Sequence, residues 1–327
     1  MKPPAKTPPF ELTPRILSLT LEIQNALGEL KTATLAKSTV KLRKENRIRT
    51  IHHSLAIEGN SLSTEQITAI LENKRVLGPK KQIQEVSNAI LLYDGLESLN
   101  PLSENDFLKA HSILLQRLVE NPGAYRSKSV GILKGTQVGH VAPPAHRVPL
   151  LMRDLFQFLK GNSEIPLLIK ACVFHYELEF IHPFMDGNGR MGRLWQQLIL
   201  MKHSPIFGSL AIESLVHREQ KRYYRVLEKA DRDGHSTAFI EFSLELIREA
   251  LLDFQREFRP RKATQADRME AARERFKSSH FTRKDYLELH KIISTATASR
   301  DLATAVTEGL LVMTGEKALS RYRFKLG

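Results

Sequence analysis

Residues 182–193 place a histidine, a carboxylate, a glycine-rich turn and two arginines within one short stretch. It reads His-Pro-Phe-Met-Asp-Gly-Asn-Gly-Arg-Met-Gly-Arg. Histidine exchanges protons near neutral pH, so His182 can act as a general base towards an attacking hydroxyl. Asp186 can offer an oxygen to a Mg²⁺ ion that bridges phosphates. These residue types are the ones that a nucleotide-handling site needs.

The sequence on either side of this stretch predicts two helices that meet at the turn. An apolar run favours a helix over 166–181, and a second helix is predicted over 190–203. The Gly-Asn-Gly segment at 187–189 permits unusual backbone angles, so its N–H groups can converge on an anion. The N-terminus of the second helix adds its dipole to that attraction. Arg190 and Arg193 lie one turn apart and can reach two different phosphates.

The pattern His-x-Phe-x-Asp-Gly-Asn-Gly-Arg-x-x-Arg resembles the signature of the Fic (filamentation induced by cAMP) family, whose members mostly transfer AMP from ATP to a protein hydroxyl. A Gly-Asn-Gly turn also occurs for structural reasons alone, but here every fixed position agrees. The resemblance implies that His182 is the catalytic base and Asp186 the Mg²⁺ ligand. It further implies phosphate-binding roles for Gly187, Asn188 and Gly189 as the anion hole, Arg190 at the α and β phosphates and Arg193 at the γ-phosphate.

A second segment, Ser54-Leu-Ala-Ile-Glu58-Gly59, resembles the inhibitory motif of Fic proteins that carry it on an N-terminal helix. The resemblance implies that Glu58 pairs with Arg193. A carboxylate–guanidinium bond would then occupy the arginine that the γ-phosphate of ATP needs. A helix-capping or surface glutamate is the alternative interpretation.

Two further segments match the family less specifically. β-branched residues alternate around glycines at 130–142, which predicts a short β-hairpin. The resemblance makes it the flap on which a target protein docks by β-addition, lined by Val130, Gly131, Ile132 and Leu133. Tyr223 lies in a segment similar to the family's Tyr-Tyr helix and would contact adenine, although Asp231 stands where some relatives carry Asn. A hairpin without a role and a tyrosine packed between helices are the alternatives.

The two ends of the chain are basic. The net charge is +13, yet residues 51–259 hold 25 basic against 24 acidic side chains, so each end carries +6. Beyond residue 258, three predicted helices precede two short strands, the order of a winged helix-turn-helix. The pattern Thr297-Ala-Ser-Arg-Asp-Leu resembles the start of a recognition helix, with Arg300 exposed. On the last strand, Arg321 and Arg323 alternate with aromatic residues and share one face. Residues 280–325 are therefore predicted to contact DNA, with protein contact or a solvated surface as alternatives.

We expect a mainly α fold: a Fic helical core with a β-hairpin flap, plus a C-terminal winged helix-turn-helix. The expected divisions are an N-terminal helical segment at 1–100, a Fic domain at 101–257 and the winged helix at 258–327. Cys172 is the single cysteine, and no apolar run approaches the ~20 residues of a membrane span. With no signal-peptide pattern at the N-terminus, these features favour a cytoplasmic protein without membrane contact.

The expected function is protein adenylylation with ATP and Mg²⁺ on a target protein or on the chain itself, restrained by Glu58. Two alternatives stay open. Glu58 could position a water that removes AMP from a modified protein, or the chain could be a DNA-binding regulator whose Fic domain senses nucleotide. A sensor has no need of a base, so His182 argues against the second alternative. A homodimer is compatible with the sequence.

Overall fold

The computed structural model describes residues 7–34, 40–134, 137–161, 164–258, 264–290, 293–315 and 320–325. Two compact units divide the chain, Met1–Phe258 and Arg259–Gly327. The expected separation of residues 1–100 from 101–257 stays a prediction. Among the described helices, none combines the length and apolar character needed to cross a bilayer.

The first unit is mainly helical with one hairpin, which confirms the predicted fold class. Its helices are α1 (Pro14–Thr34), α2 (Val40–Ile57), α3 (Thr64–Leu71), α4 (Lys80–Asp94), α5 (Glu104–Leu114), α6 (Val148–Lys160), α7 (Leu167–Ile181), α8 (Asn188–His203), α9 (Ile212–Arg218), α10 (Gln220–Asp233) and α11 (Thr237–Phe258). Strands β1 (Gly131–Lys134) and β2 (Gln137–Val141) form the antiparallel hairpin. Their register shifts between Ile132 and Leu133, where one residue bulges out of the ladder.

Helix starts follow the capping chemistry visible in the sequence. Thr13 Oγ1 accepts from the N–H of Ile16 at 3.1 Å, and Pro14 takes the first helical position of α1. Ser63 and Gln66 bond each other's backbone N–H groups at the start of α3, a reciprocal capping box. Local side chains therefore fix where these helices begin.

The hydrophobic periodicity predicts one helix over 104–119 and one over 217–231, and the structure differs from both predictions. α5 stops at Leu114 rather than near residue 119, because the buried Asn88 side chain donates to the carbonyls of Leu114 at 3.1 Å and Gln116 at 2.8 Å. Those bonds satisfy carbonyls that a continuing helix would use. The segment predicted as one helix over 217–231 is instead the end of α9 and all of α10, which part at Glu219.

The core of the first unit is built around the antiparallel pair α7 and α8, both buried along most of their length. α7 is apolar on nearly every side, so it can only be stable when surrounded. Phe107 of α5 packs edge-on against Trp195 of α8, with ring centroids 5.1 Å apart. The indole N–H of Trp195 donates to the carbonyl of Pro101 at 3.0 Å. Aromatic packing against α5 therefore supports α8, the helix that follows the turn.

The second unit contains α12 (Gln265–Phe276), α13 (Arg283–Leu289) and α14 (Thr295–Thr307), followed by the antiparallel strands β3 (Leu311–Thr314) and β4 (Arg321–Phe324). A further antiparallel bridge joins Phe281 to Tyr322. Asp301 is buried and accepts two bonds from Arg268, at 2.6 and 2.9 Å. Assignment of this unit as a winged helix-turn-helix stays a prediction.

Candidate active site

His182 ends α7 in a left-handed backbone conformation. Its φ is 49° and its ψ is 60°, a region that residues other than glycine seldom adopt. Its N–H donates to the carbonyl of Leu178 at 2.9 Å, the last bond of the helix. The side chain is half-buried. The chain therefore leaves the helix sharply at the residue that the motif assigns as base.

The residues after His182 close the turn through Gly187 and Asn188. Gly187 has φ 85°, and a Cβ there would lie 2.7 Å from a methyl carbon of Leu115, so only glycine fits. The buried Asn188 side chain accepts from the N–H of Phe184 and donates to its carbonyl, both at 2.9 Å. Asn188 therefore braces the turn with its side chain. What the turn can offer an anion is the first N–H groups of α8.

Arg190 is buried and directed at two carboxylates. Its Nη2 donates to Asp186 Oδ1 at 2.8 Å, and its Nη1 lies 3.8 Å from Glu85 Oε1. The Asp186 side chain is 44% exposed, so solvent and ligands can reach it. The arrangement puts one guanidinium and one accessible carboxylate side by side at the start of α8.

Arg193 contacts the segment 54–59, and it pairs with Glu58 as the resemblance implies. Its Nη2 donates to Glu58 Oε1 at 2.8 Å and to the carbonyl of Ser54 at 3.0 Å, and its Nε donates to Ser54 Oγ at 3.3 Å. The Arg193 side chain is 2% exposed and that of Glu58 is 36% exposed. Although burial opposes the charged guanidinium, the Glu58 carboxylate holds the pKa of Arg193 above its usual range. The arginine is therefore a permanent cation.

The Glu58 carboxylate also lies against Gly189. A Cβ at Gly189 would come 2.5 Å from Glu58 Oε1 and 3.1 Å from Arg193 Nη1. A carboxylate therefore occupies the space at the N-terminus of α8 where the sequence predicts a phosphate. Because carboxylate and phosphate are both oxyanions, the same N–H groups and guanidinium suit either.

Tyr223 lies deeper than the resemblance implies. It is 2% exposed, and its hydroxyl contacts Glu179 Oε1 at 3.2 Å and His175 Nε2 at 3.1 Å. Its ring can meet an adenine only if this buried network rearranges. The neighbouring Tyr224 is 39% exposed. Tyr176 donates to Asp231 at 3.1 Å, so that carboxylate is engaged within the fold.

The predicted hairpin is present as β1 and β2, and its role as a flap stays a prediction. Val130 is half-buried just before β1, and Gly131 pairs with Val141 across the hairpin. The side chains of Ile132 and Leu133 lie outside the described part of the structure. The backbone supplies the strand edge that docking by β-addition requires.

Two site-supporting residues escaped sequence reasoning, His111 and Arg126. The ring of His111 stacks on that of Phe184, with centroids 3.6 Å apart. Its Nδ1 accepts from the N–H of Gly123 at 2.8 Å. The proton is therefore on Nε2, which donates to the carbonyl of Asp186 at 3.1 Å. Burial lowers the pKa of His111 to about 4, which keeps it neutral. Its place four residues after Phe107, on the apolar face of α5, was the available signal. Arg126 sits in an irregular segment that offers no such periodicity.

Asp186 is the described residue best suited to a metal. No group of three or more His, Cys, Asp and Glu side chains in the described part of the chain is arranged to hold one. Mg²⁺ in phosphate-transfer sites is commonly bound through one or two carboxylates plus substrate phosphates. A single accessible carboxylate beside an anion site fits a metal that arrives with a nucleotide.

Comparison with known proteins agrees with this geometry. Residues 101–200 match the model of the Fic/DOC family. A crystal structure of a Fic family protein from Desulfovibrio desulfuricans is 39% identical with a TM-score of 0.75, over 98% of each chain. Curated relatives are the protein adenylyltransferase Fic of Culex quinquefasciatus, 31% identical over 62% of this chain, and the protein adenylyltransferase fic-1 of Caenorhabditis briggsae, 30% identical over 58%. This chain spans only 40% and 38% of their respective lengths.

Two features define the class of protein to which this chain belongs. One is a helical core with a hairpin, and the other is a histidine-bearing turn that leads into an arginine-bearing helix. The full-length match to the Desulfovibrio structure places this chain within it. The chain belongs to the Fic family.

Proposed function

We propose that the chain is a protein adenylyltransferase that moves AMP from ATP to a hydroxyl of a target protein or of itself. The observation that carries this proposal is the arrangement at the α7–α8 turn. A histidine stands at one side of the turn, and two buried arginines follow on α8. The curated relatives named as adenylyltransferases support the same reaction.

In the proposed reaction His182 takes the proton of the attacking hydroxyl. The hydroxyl oxygen forms a bond to the α-phosphorus, and the bond between that phosphorus and the oxygen bridging to the β-phosphate breaks. Pyrophosphate leaves with the bonding electrons. The first N–H groups of α8 and the Arg190 guanidinium stabilise the negative charge that develops on the phosphates. A Mg²⁺ ion held by Asp186 would neutralise phosphate charge when bound.

We propose further that Glu58 holds the enzyme inactive. Its carboxylate is bonded to Arg193 and lies against Gly189, the two positions predicted to receive the γ-phosphate and a neighbouring phosphate oxygen. Two anions cannot share that space without strong repulsion. ATP would therefore bind weakly, or in a pose that does not present its α-phosphorus to His182.

Intact-protein mass spectrometry tests the reaction. Glu58→Gly incubated with ATP and Mg²⁺ should gain the mass of one AMP on itself or on an added target. The double variant Glu58→Gly/His182→Ala should gain nothing. No gain with any nucleoside triphosphate, with nucleotide binding intact, would refute transfer. Release of AMP from a modified target by wild type but not by Glu58→Gln would instead assign the hydrolytic alternative.

The flap is proposed as the target-docking element, because Arg126 bonds the carbonyl of Lys128 before the hairpin, that of Pro143 after it and that of His182 in the active-site turn. Ile132→Pro removes one backbone donor and should weaken target modification more than ATP binding. Ile132→Val, which keeps the donor, is the matched control. Equal losses of ATP binding and target modification would argue against docking.

A second proposed function is DNA binding by the second unit. Arg321 and Arg323 are exposed on β4, and Arg300 is exposed on α14. Their alternation on the strand suits contact with successive phosphates. The chain should bind duplex DNA at low salt. Each arginine changed to glutamine should reduce the magnitude of the negative slope of log K against log salt by about one. No retention at low salt would remove this proposal.

A further inference from the structure

We propose that Arg126 is a positioning residue that couples the flap to the His182 turn. Arg126 lies in the irregular segment between α5 and β1 and is 4% exposed. Its side chain donates to four backbone carbonyls, two at the His182 turn and two at the base of the flap. The inference rests on the proposed function where it concerns catalysis, but the connection itself can be measured without any reaction.

Three bonds attach Arg126 to the turn. Its own N–H donates to the carbonyl of Pro183 at 2.9 Å. Its Nε donates to the carbonyl of His182 at 2.7 Å, and its Nη2 lies 3.3 Å from the carbonyl of Ile181. Three consecutive carbonyls, centred on the left-handed His182, are therefore held by one residue.

Two more bonds attach the same guanidinium to the base of the flap. Nη1 donates to the carbonyl of Lys128 at 2.9 Å, before β1, and Nη2 donates to the carbonyl of Pro143 at 2.5 Å, after β2. The planar fork of an arginine fixes the angles between its donors. A shift of either strand base is thereby transmitted to the carbonyls of the turn.

The chemistry favours positioning over simple stabilisation. Among the described residues, Arg126 has no carboxylate within ion-pair distance, and burial lowers the pKa of its guanidinium. A buried cation without a counter-ion is an expensive way to stabilise a fold. Here it faces the C-terminal end of α7, where carbonyls lack helical partners and the helix dipole favours positive charge. Charge-assisted bonds to those carbonyls hold His182 in a backbone conformation that it would not otherwise adopt.

Hydrogen exchange measured by mass spectrometry on the full chain tests the coupling. Arg126→Gln should speed amide exchange about tenfold or more in both the flap segment 128–143 and the turn segment 181–187, because charged bonds to both are lost. Arg126→Lys should give a smaller rise, since a lysine cannot span all four carbonyls. Lys170→Gln is the matched control. Lys170 is another buried cation of the same unit and donates to the carbonyl of Gly161 at 2.6 Å.

Concerted loosening of flap and turn in Arg126→Gln, absent in Lys170→Gln, is the expected result. Loosening of only one segment, or of neither, would overturn the coupling. If Arg126→Gln does not fold, the comparison of Arg126→Lys with wild type decides between the same outcomes. In the Glu58→Gly background, Arg126→Lys should lower kcat and raise the KM for target while the Kd for ATP stays within about twofold. Because exchange needs no turnover, a failure of the proposed transferase would leave this test intact.

Discussion

Neutralising Glu58 should make the triphosphate-binding position available. The perturbation is Glu58→Gln, which keeps the size of the side chain and removes its charge. Arg193 Nη2 donates to Glu58 Oε1 at 2.8 Å, a single charge-assisted bond whose carboxylate is 36% exposed. Such bonds contribute about 1.5–3 kcal/mol, and the exposure argues for the lower end.

About 1.5 kcal/mol corresponds to roughly tenfold tighter ATP binding by the variant. Isothermal titration calorimetry with ATP measures the affinity directly, and incorporation of labelled AMP measures the rate. Glu45→Gln is the matched control, because Glu45 is an exposed carboxylate on α2, the helix that ends directly before Glu58. Glu58→Gly, which also empties the space beside Gly189, should give at least the same gain.

Equal ATP affinity in wild type, Glu58→Gln and Glu45→Gln would refute the reasoning. It would mean that ATP displaces Glu58 without measurable loss, or that Arg193 does not hold a phosphate. A gain in Glu45→Gln as large as in Glu58→Gln would show a general charge effect rather than release of one arginine.

Three further predictions concern stability. Burial lowers the pKa of His111 to about 4, so the contribution of His111 to stability is present above about pH 6.5 and is lost as the pH falls towards 4. The thermal midpoint of the wild type should therefore drop across that window more steeply than that of His111→Gln. The pH dependence that Glu213 gives to stability has the opposite sign, because burial raises the pKa of Glu213 to about 7. Its contribution is present below about pH 4.5 and is lost as the pH rises through 7. Glu213→Gln should therefore raise the thermal midpoint at pH 8 and change it little at pH 5. Parallel pH curves for variant and wild type would contradict either statement. Asp301→Asn breaks the buried pair with Arg268 and should destabilise the second unit by about 3–5 kcal/mol, seen by calorimetry as an earlier transition; an unchanged transition would show that the pair contributes nothing.

Much of the fold was readable from local chemistry. Thr13-Pro14 and Ser63 act at the starts of α1 and α3, and alternating β-branched residues gave the hairpin. These features depend on residues close in sequence, so pattern reasoning can find them. The early end of α5 could not be found in this way, because the side chain that donates to the carbonyl of Leu114 belongs to Asn88 on α4.

The candidate site likewise has contacts that could be expected from the sequence and others that could not. The contact between Glu58 and Arg193 could be expected only because the motif resembled a known family, since 135 positions separate the two residues. The deep burial of Tyr223 could not be expected, because its hydroxyl partners lie on α7. Periodicity gives a side chain its face on a helix, but it does not say how deeply that face is covered.

By itself, the sequence determined the residues available for chemistry, the helical class and the glycine that the turn at 187 requires. Tertiary structure alone decided that Arg126 joins the flap to the carbonyls around His182, and that Asn188 braces the turn with its side chain. The physical reason is that a hydrogen bond to a backbone carbonyl carries no residue-type signature in the accepting partner. Any sequence can supply the acceptor, so only the fold shows which carbonyls a buried arginine meets.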